Sequence, residues 1–260
     1  IYSEAVLQVF KSPYTRFFQT DQVKVLRSRK IENLSMKDTL AIRLKAGLST
    51  CINLDGVKNN FDFTDPSRTS FYNYHFSDMV YIDGERAYVI SFEQKPGVED
   101  PLFKGEICIN SSDYGIMSAT FEINPALISK TKETYISRLP QGFVVKPVSV
   151  KYMVRYRKID DRYFISHVRG DLQFLAKGRK TLFKSRFDVF FEVAYTDYRT
   201  ENVQRFERDE ITPTNTVFTR TINGYDENFW KDFDFLKPEQ DISEAFEKLK
   251  ARLSLGGETN

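Results

Sequence analysis

The sequence predicts an α+β fold that is mainly antiparallel β, built on a long curved meander sheet with helices on its concave side and at both termini. Three observations predict it. From Phe71 onward apolar residues recur with period two, the repeat of a strand with one covered face. Asp83-Gly84 and Ser111-Ser112-Asp113-Tyr114-Gly115 interrupt that repeat as hairpin signals. Large aromatics, 23 Phe and 14 Tyr in 260 residues, suit a pleated and half-buried surface.

Taken in order, Ile1 to Phe10 sets Ala5, Val6, Val9 and Phe10 at helical spacing before Ser12-Pro13, which predicts a terminal helix. Val23 to Ile31 alternates and carries charge, the pattern of an edge strand. Asp38 to Leu48 returns to helical spacing through Leu40, Leu44 and Leu48. Met79 to Ile82 and Ala87 to Phe92 flank the first turn, and Leu102 to Asn110 and Ile116 to Ile123 flank the second. Pro125 sits where a helix begins, predicting one over the stretch to Leu139.

Three long strands follow, turned by Asp160-Asp161 and by Lys177-Gly178-Arg179. In the third, Phe183, Phe187, Val189, Phe191, Val193 and Tyr195 share a parity against Lys184, Arg186, Asp188 and Glu192. A stripe of that length means one covered face and one wet face. Strands longer than the usual five or six residues predict strong sheet curvature. Arg205 to Thr216 reads as a Pro-interrupted loop. Asp241, with Glu244 three residues on, opens a last helix through Ala245, Leu249 and Leu253. Nothing in the composition splits the chain, so the sequence predicts a single domain over 1–260, with a β core at 71–200 and an aromatic, acidic tail and helix at 225–254.

Charge narrows the function classes. The net charge of +2 argues against a dedicated nucleic-acid binder. From Phe143 to Thr200, 13 Lys and Arg stand against six Asp and Glu. The wet face of the long strands accounts for this surplus, and docking of an anionic surface or ligand is the alternative. Cys51 and Cys108 show no metal spacing; reduced thiols are the default reading, with a disulfide as the alternative in an oxidising compartment. No apolar run approaches the ~18 residues of a membrane span. The opening Ile1-Tyr2-Ser3-Glu4 has no initiator Met and reads as an excised or processed piece.

No catalytic motif emerges. His75 and His167 belong to no ligand spacing and read as hydrogen-bonded structural residues, with a catalytic base as the alternative. Gly178-Arg179-Lys180-Thr181 lacks the upstream glycine of a P-loop and falls between strands. Ala46-Gly47-Leu48-Ser49 lacks the second glycine of a nucleophile elbow. Tyr225 to Phe235 combines Asp226, Glu227, Asp232 and Asp234 with the sole Trp, Trp230. Its carboxylates lack the order of a Ca²⁺ loop, so the tract reads as aromatic packing with wet acids. No cofactor or metal is expected.

Two stretches carry a resemblance. Ala87 to Phe92, then Phe103-Lys104-Gly105-Glu106-Ile107-Cys108-Ile109, Ser112-Asp113-Tyr114-Gly115-Ile116 and Phe121-Glu122-Ile123, resemble a domain of Bacteroidetes envelope proteins. In those proteins it follows a carboxypeptidase-regulatory-like β-sandwich. Gly224-Tyr225-Asp226-Glu227-Asn228-Phe229-Trp230, with Leu236-Lys237-Pro238-Glu239, is similar to the tail of the same family. The hairpin portion is also similar to LolA/LolB-type lipoprotein carriers, whose half-barrel sheet wraps helices and holds acyl chains. The resemblance implies export to the periplasm, outer membrane or cell surface, contact with the membrane that is peripheral at most, and a preceding sandwich domain. Neither family supplies a catalytic residue that can be carried over.

The expected function is therefore non-enzymatic: binding of an apolar ligand, such as a lipid or lipoprotein acyl chain, or of an envelope protein across the curved sheet. Phe183, Phe187, Phe191 and Tyr195 are the expected ligand-binding residues, and Phe229 and Trp230 the expected partner-binding ones. The alternatives are an interaction module without a ligand, inside a multidomain surface protein, and an envelope hydrolase.

Overall fold

The computed structural model describes residues 2–13, 20–31, 43–44, 47–138, 142–178 and 184–214. The chain divides into two compact units, one of Ile1–Leu40 with Arg199–Asn260 and one of Ala41–Tyr198.

In the first unit, β1 (Tyr2–Phe10) pairs antiparallel with β2 (Gln22–Ile31). The helix expected over Ile1 to Phe10 is therefore a strand. The doublets Ala5-Val6 and Val9-Phe10 mimic a helical repeat, but in a strand adjacent residues point to opposite faces. Both faces of this ribbon are partly covered, so apolar residues serve on each. The expected strand at Val23 to Ile31 is present as β2. The segment 205–212 runs beside it: Thr212 N–H donates to Val23 O at 2.7 Å, and Phe206 N–H donates to Gln22 Oε1 at 2.9 Å. An ion pair joins Lys24 to Glu210, and another joins Arg29 to Glu4.

In the second unit, seven strands form one antiparallel sheet that is not closed into a barrel: β4 (Tyr72–Ile82), β5 (Glu85–Gln94), β6 (Phe103–Asn110), β7 (Ile116–Ile123), β9 (Phe143–Ile159), β10 (Arg162–Gly178) and β11 (Ser185–Ala194), neighbouring in that order. Both expected hairpins are present. Asp83 (φ 51°) and Gly84 (φ 83°) take the two left-handed conformations that a tight two-residue hairpin requires. Asp160, at φ 54°, turns β9 into β10. Of the turn expected at Lys177-Gly178-Arg179, Lys177 and Gly178 still belong to β10, and Arg179 lies outside the described residues.

β9 contains Pro147, a residue that central strands exclude because it cannot donate to the ladder. It is tolerated because β7 pairs with β9 only over Lys151–Arg155. A register shift on the β10 side, between Gln173 and Phe174, falls opposite it.

The excursion between β7 and β9 and the segment before β4 cover one face of this sheet. The helix expected over Pro125 to Leu139 is shorter. A 3-10 turn at Ile128–Thr131 and α2 (Lys132–Tyr135) give way to β8 (Ile136–Arg138), which pairs with β3 (Arg43–Leu44). The helix expected over Asp38 to Leu48 lies mostly outside the described residues; Arg43–Leu44 is strand, and α1 (Leu48–Asn53) starts where that helix was to end.

The core lies between these covers and the sheet. Phe63 stacks on Phe92 with centroids 4.0 Å apart and lies 5.0 Å from both Phe61 and Phe121. Phe121 continues the cluster to Phe103 at 5.1 Å and Tyr152 at 5.5 Å. The aromatic richness of the sequence is spent here, where tilted and edge-on rings fill the interior. Val150, Val154 and Val168 are fully buried on the same face of the long strands. Tyr156 enters this layer with its polar end satisfied, its hydroxyl accepting Gly56 N–H at 2.8 Å. Cys51 and Cys108 are free thiols; burial pushes the Cys51 thiol up to about 12, which keeps it protonated and inert.

Candidate functional site

The sheet has two terminal strands, and they differ in kind. β11 carries Arg186, Asp188 and Glu192, charges of the sort that discourage a free edge from pairing with other molecules. β4, whose partner among the described residues is β5, carries Asp78 as its one carboxylate and His75 as its one imidazole, and has neither Lys nor Pro.

The register of β4 against β5 fixes which way its side chains point. Tyr74 is opposite Phe92, Phe76 opposite Ile90, Met79 opposite Tyr88 and Tyr81 opposite Arg86. These four share the strand parity of Phe92, a core residue, while Ala87 and Val89 of the other parity are buried as well. A register shift between Phe76 and Asp78 leaves Ser77 as an extra residue and reverses the parity of the strand. Without that bulge, Met79 and Tyr81 would lie on the opposite face from Phe76.

Cover on this face stops partway along β4. Tyr72 is 2% exposed, and the Tyr74 hydroxyl donates to Phe63 O at 2.8 Å. Beyond Tyr74 the same stripe is open: Phe76 is 63% exposed, Met79 43% and Tyr81 70%. Phe76 meets Tyr88 edge-on at 6.2 Å, and the Arg86 guanidinium lies 6.0 Å from the Tyr81 ring. An open aromatic stripe beside a strand edge combines two costs for an isolated domain, uncovered apolar surface and unpaired backbone groups.

Around Ser91, Glu106 and Glu122 the opposite face of the sheet is polar. A depression of about 660 Å³ crosses β4 to β7 and reaches Lys151 on β9. Glu122 is bridged there by Lys104 and Lys151, each at 3.3 Å. A hydroxyl chain runs from Ser77 to Ser91 and on to Glu106, with His75 opposite Ser91 in the ladder. The lining of this depression sets two lysines, Lys104 and Lys151, against three glutamates, Glu93, Glu106 and Glu122. Farther along the sheet, His167 bonds Glu192 at 2.7 Å. No group of three or more metal-ligating side chains occurs among the described residues.

A third polar cluster anchors the loop between β6 and β7. Asp113 accepts from Lys158 at 2.6 Å, from the Tyr163 hydroxyl at 3.1 Å and from Gly115 N–H at 2.9 Å. The buried Asn110 amide donates to Tyr163 Oη at 3.0 Å and also bonds Glu85. The Lys158 ammonium, first among these partners, holds the Asp113 carboxyl below its ordinary value. Burial raises the Tyr163 phenol. This network gives the Ser112-Asp113-Tyr114-Gly115 stretch a structural role.

Of the expected ligand-binding residues, Phe183 lies outside the described residues. Phe187, Phe191 and Tyr195 are half-buried. Phe187 and Phe191 share the core face, and Phe191 packs over Gly170, with its ring 6.3 Å from Tyr152. Phe229 and Trp230 lie outside the described residues, as does the whole stretch 225–254. No protein-family model matches the chain, and no curated protein or solved structure is significantly similar to it. The exposed stripe of β4 was missed by sequence reasoning. Its one available signal was Phe76-Ser77-Asp78-Met79, where alternation breaks in the middle of a strand.

Proposed function

We propose that the chain is a non-enzymatic binding domain of the cell envelope that engages a partner protein along β4. The observation carrying this reading is the stripe Phe76, Met79 and Tyr81, exposed on a terminal strand without guarding lysines or prolines. A partner strand added there pairs backbone groups of β4 that β5 leaves without a strand neighbour among the described residues, while its side chains cover the aromatics. The envelope location rests on the sequence resemblance.

The lipid-binding reading comes second. The half-buried Phe187, Phe191 and Tyr195 favour it as apolar side chains on the sheet, but Phe191 is already engaged with Gly170 and Tyr152. That packing supports a protein partner over an acyl chain at this end of the sheet.

A photo-crosslinking residue at Tyr81, compared in cells with one at Phe190 on β11, tests the proposal. The expected result is an adduct of defined mass from position 81 and none from position 190. Equal yields at both positions, or no adduct at 81, would overturn it.

A further inference from the structure

We infer that the partner at β4 is a second copy of this chain, paired antiparallel about a twofold axis at Phe76; the inference rests on reading β4 as the docking edge. The β4 edge is complementary to itself. Residues opposite each other across an antiparallel pair must lie on the same face of the sheet. His75 and Asp78 are three apart and would ordinarily face opposite ways. The bulge at Ser77 puts them on one face, since their β5 partners, Ser91 and Val89, are two apart.

A twofold axis at Phe76 then sets His75 of each copy opposite Asp78 of the other. An imidazole, neutral or protonated, donates a hydrogen bond to a carboxylate. On the other face, Tyr74 of one copy meets Met79 of the other, and Tyr72 meets Tyr81, around a central Phe76 pair. Tyr74, Phe76 and Met79 thus gain an apolar partner, whereas Tyr81 lies opposite the already buried Tyr72.

The neighbouring registers are worse. An axis at Asp78 opposes two carboxylates, and an axis at His75 opposes two imidazoles. The Asp78 carboxylate is held in place by Met79 N–H at 2.7 Å, so it presents a fixed acceptor. The contact is isologous and closes at two copies, which leaves no free β4 edge.

Sedimentation equilibrium of the whole 260-residue chain tests this, using wild type, His75→Asp and the double variant His75→Asp with Asp78→Lys, each checked for native circular dichroism. The symmetry counts every change twice. Wild type is expected to form a reversible dimer. His75→Asp, which opposes two carboxylates, is expected to weaken it by about tenfold or more, and the double variant to restore it. A wild-type monomer at every concentration, or a dimer indifferent to both variants, would overturn the inference. A monomer that still yields the Tyr81 adduct with a different protein would reject the second copy and retain the edge. A monomer without the adduct would reject both.

Discussion

At the scale of single residues, the clearest consequence comes from Asp113. Lys158, Tyr163 and Gly115 all favour its ionised form, so its carboxyl titrates lower in the folded protein than in the unfolded chain. A carboxylate depressed in this way stabilises the fold fully above its unfolded value, near the ordinary ~4. That contribution is lost as pH falls through the folded value. Urea midpoints should therefore drop on acidification below ~4, and Asp113→Asn should flatten that part of the profile while lowering stability at neutral pH. An Asp113→Asn profile parallel to wild type would show that the network is not linked to folding. None of this could be read from the sequence. Asp113, Tyr114 and Gly115 signal a turn, but Lys158 and Tyr163 reach it from strands about fifty residues away.

At the scale of elements, the meander was legible and the ribbon was not. The long strands β9 and β10 keep period two because one face is covered along them, and Asp83-Gly84 marks the first hairpin of the meander. β1 was misread because both of its faces are partly covered, which removes the alternation that identifies a strand. The stretch after Pro125 has a helical start, but Tyr135 and Ile136 are buried, and the chain passes directly into β8. Two glycines show how closely neighbouring strands approach. A methyl at Gly105 would fall 2.1 Å from Thr120 O and 2.7 Å from Phe121 Cα, both backbone atoms that cannot swing aside. At Gly170 it would fall 2.3 Å from the tip of the Phe191 ring, which can. Gly105→Ala should therefore cost about 3 kcal/mol and Gly170→Ala about 1 kcal/mol by urea denaturation. The reverse order would mean that Phe191 is fixed more rigidly than the β6–β7 ladder.

At the scale of the whole molecule, the seven-stranded sheet has asymmetric ends. β11 is defended by charge, whereas β4 leaves Phe76, Met79 and Tyr81 uncovered. A pattern analysis sees the same alternation in an aromatic that fills a core and in one that awaits a partner. The difference lies in where the cover ends, and that is set by Phe63 and its neighbours, distant in sequence from the β6 and β7 aromatics they pack against. The account therefore turns on β4 being occupied in the working protein. Amide hydrogen exchange on the associated protein tests this most directly, compared with a Met79→Lys variant that places a charge in the stripe. The account predicts that β4 amides not bonded to β5 are protected in the associated protein and released in Met79→Lys, with β11 unchanged. Equal exchange along β4 in the two proteins, or protection appearing at β11 instead, would contradict it.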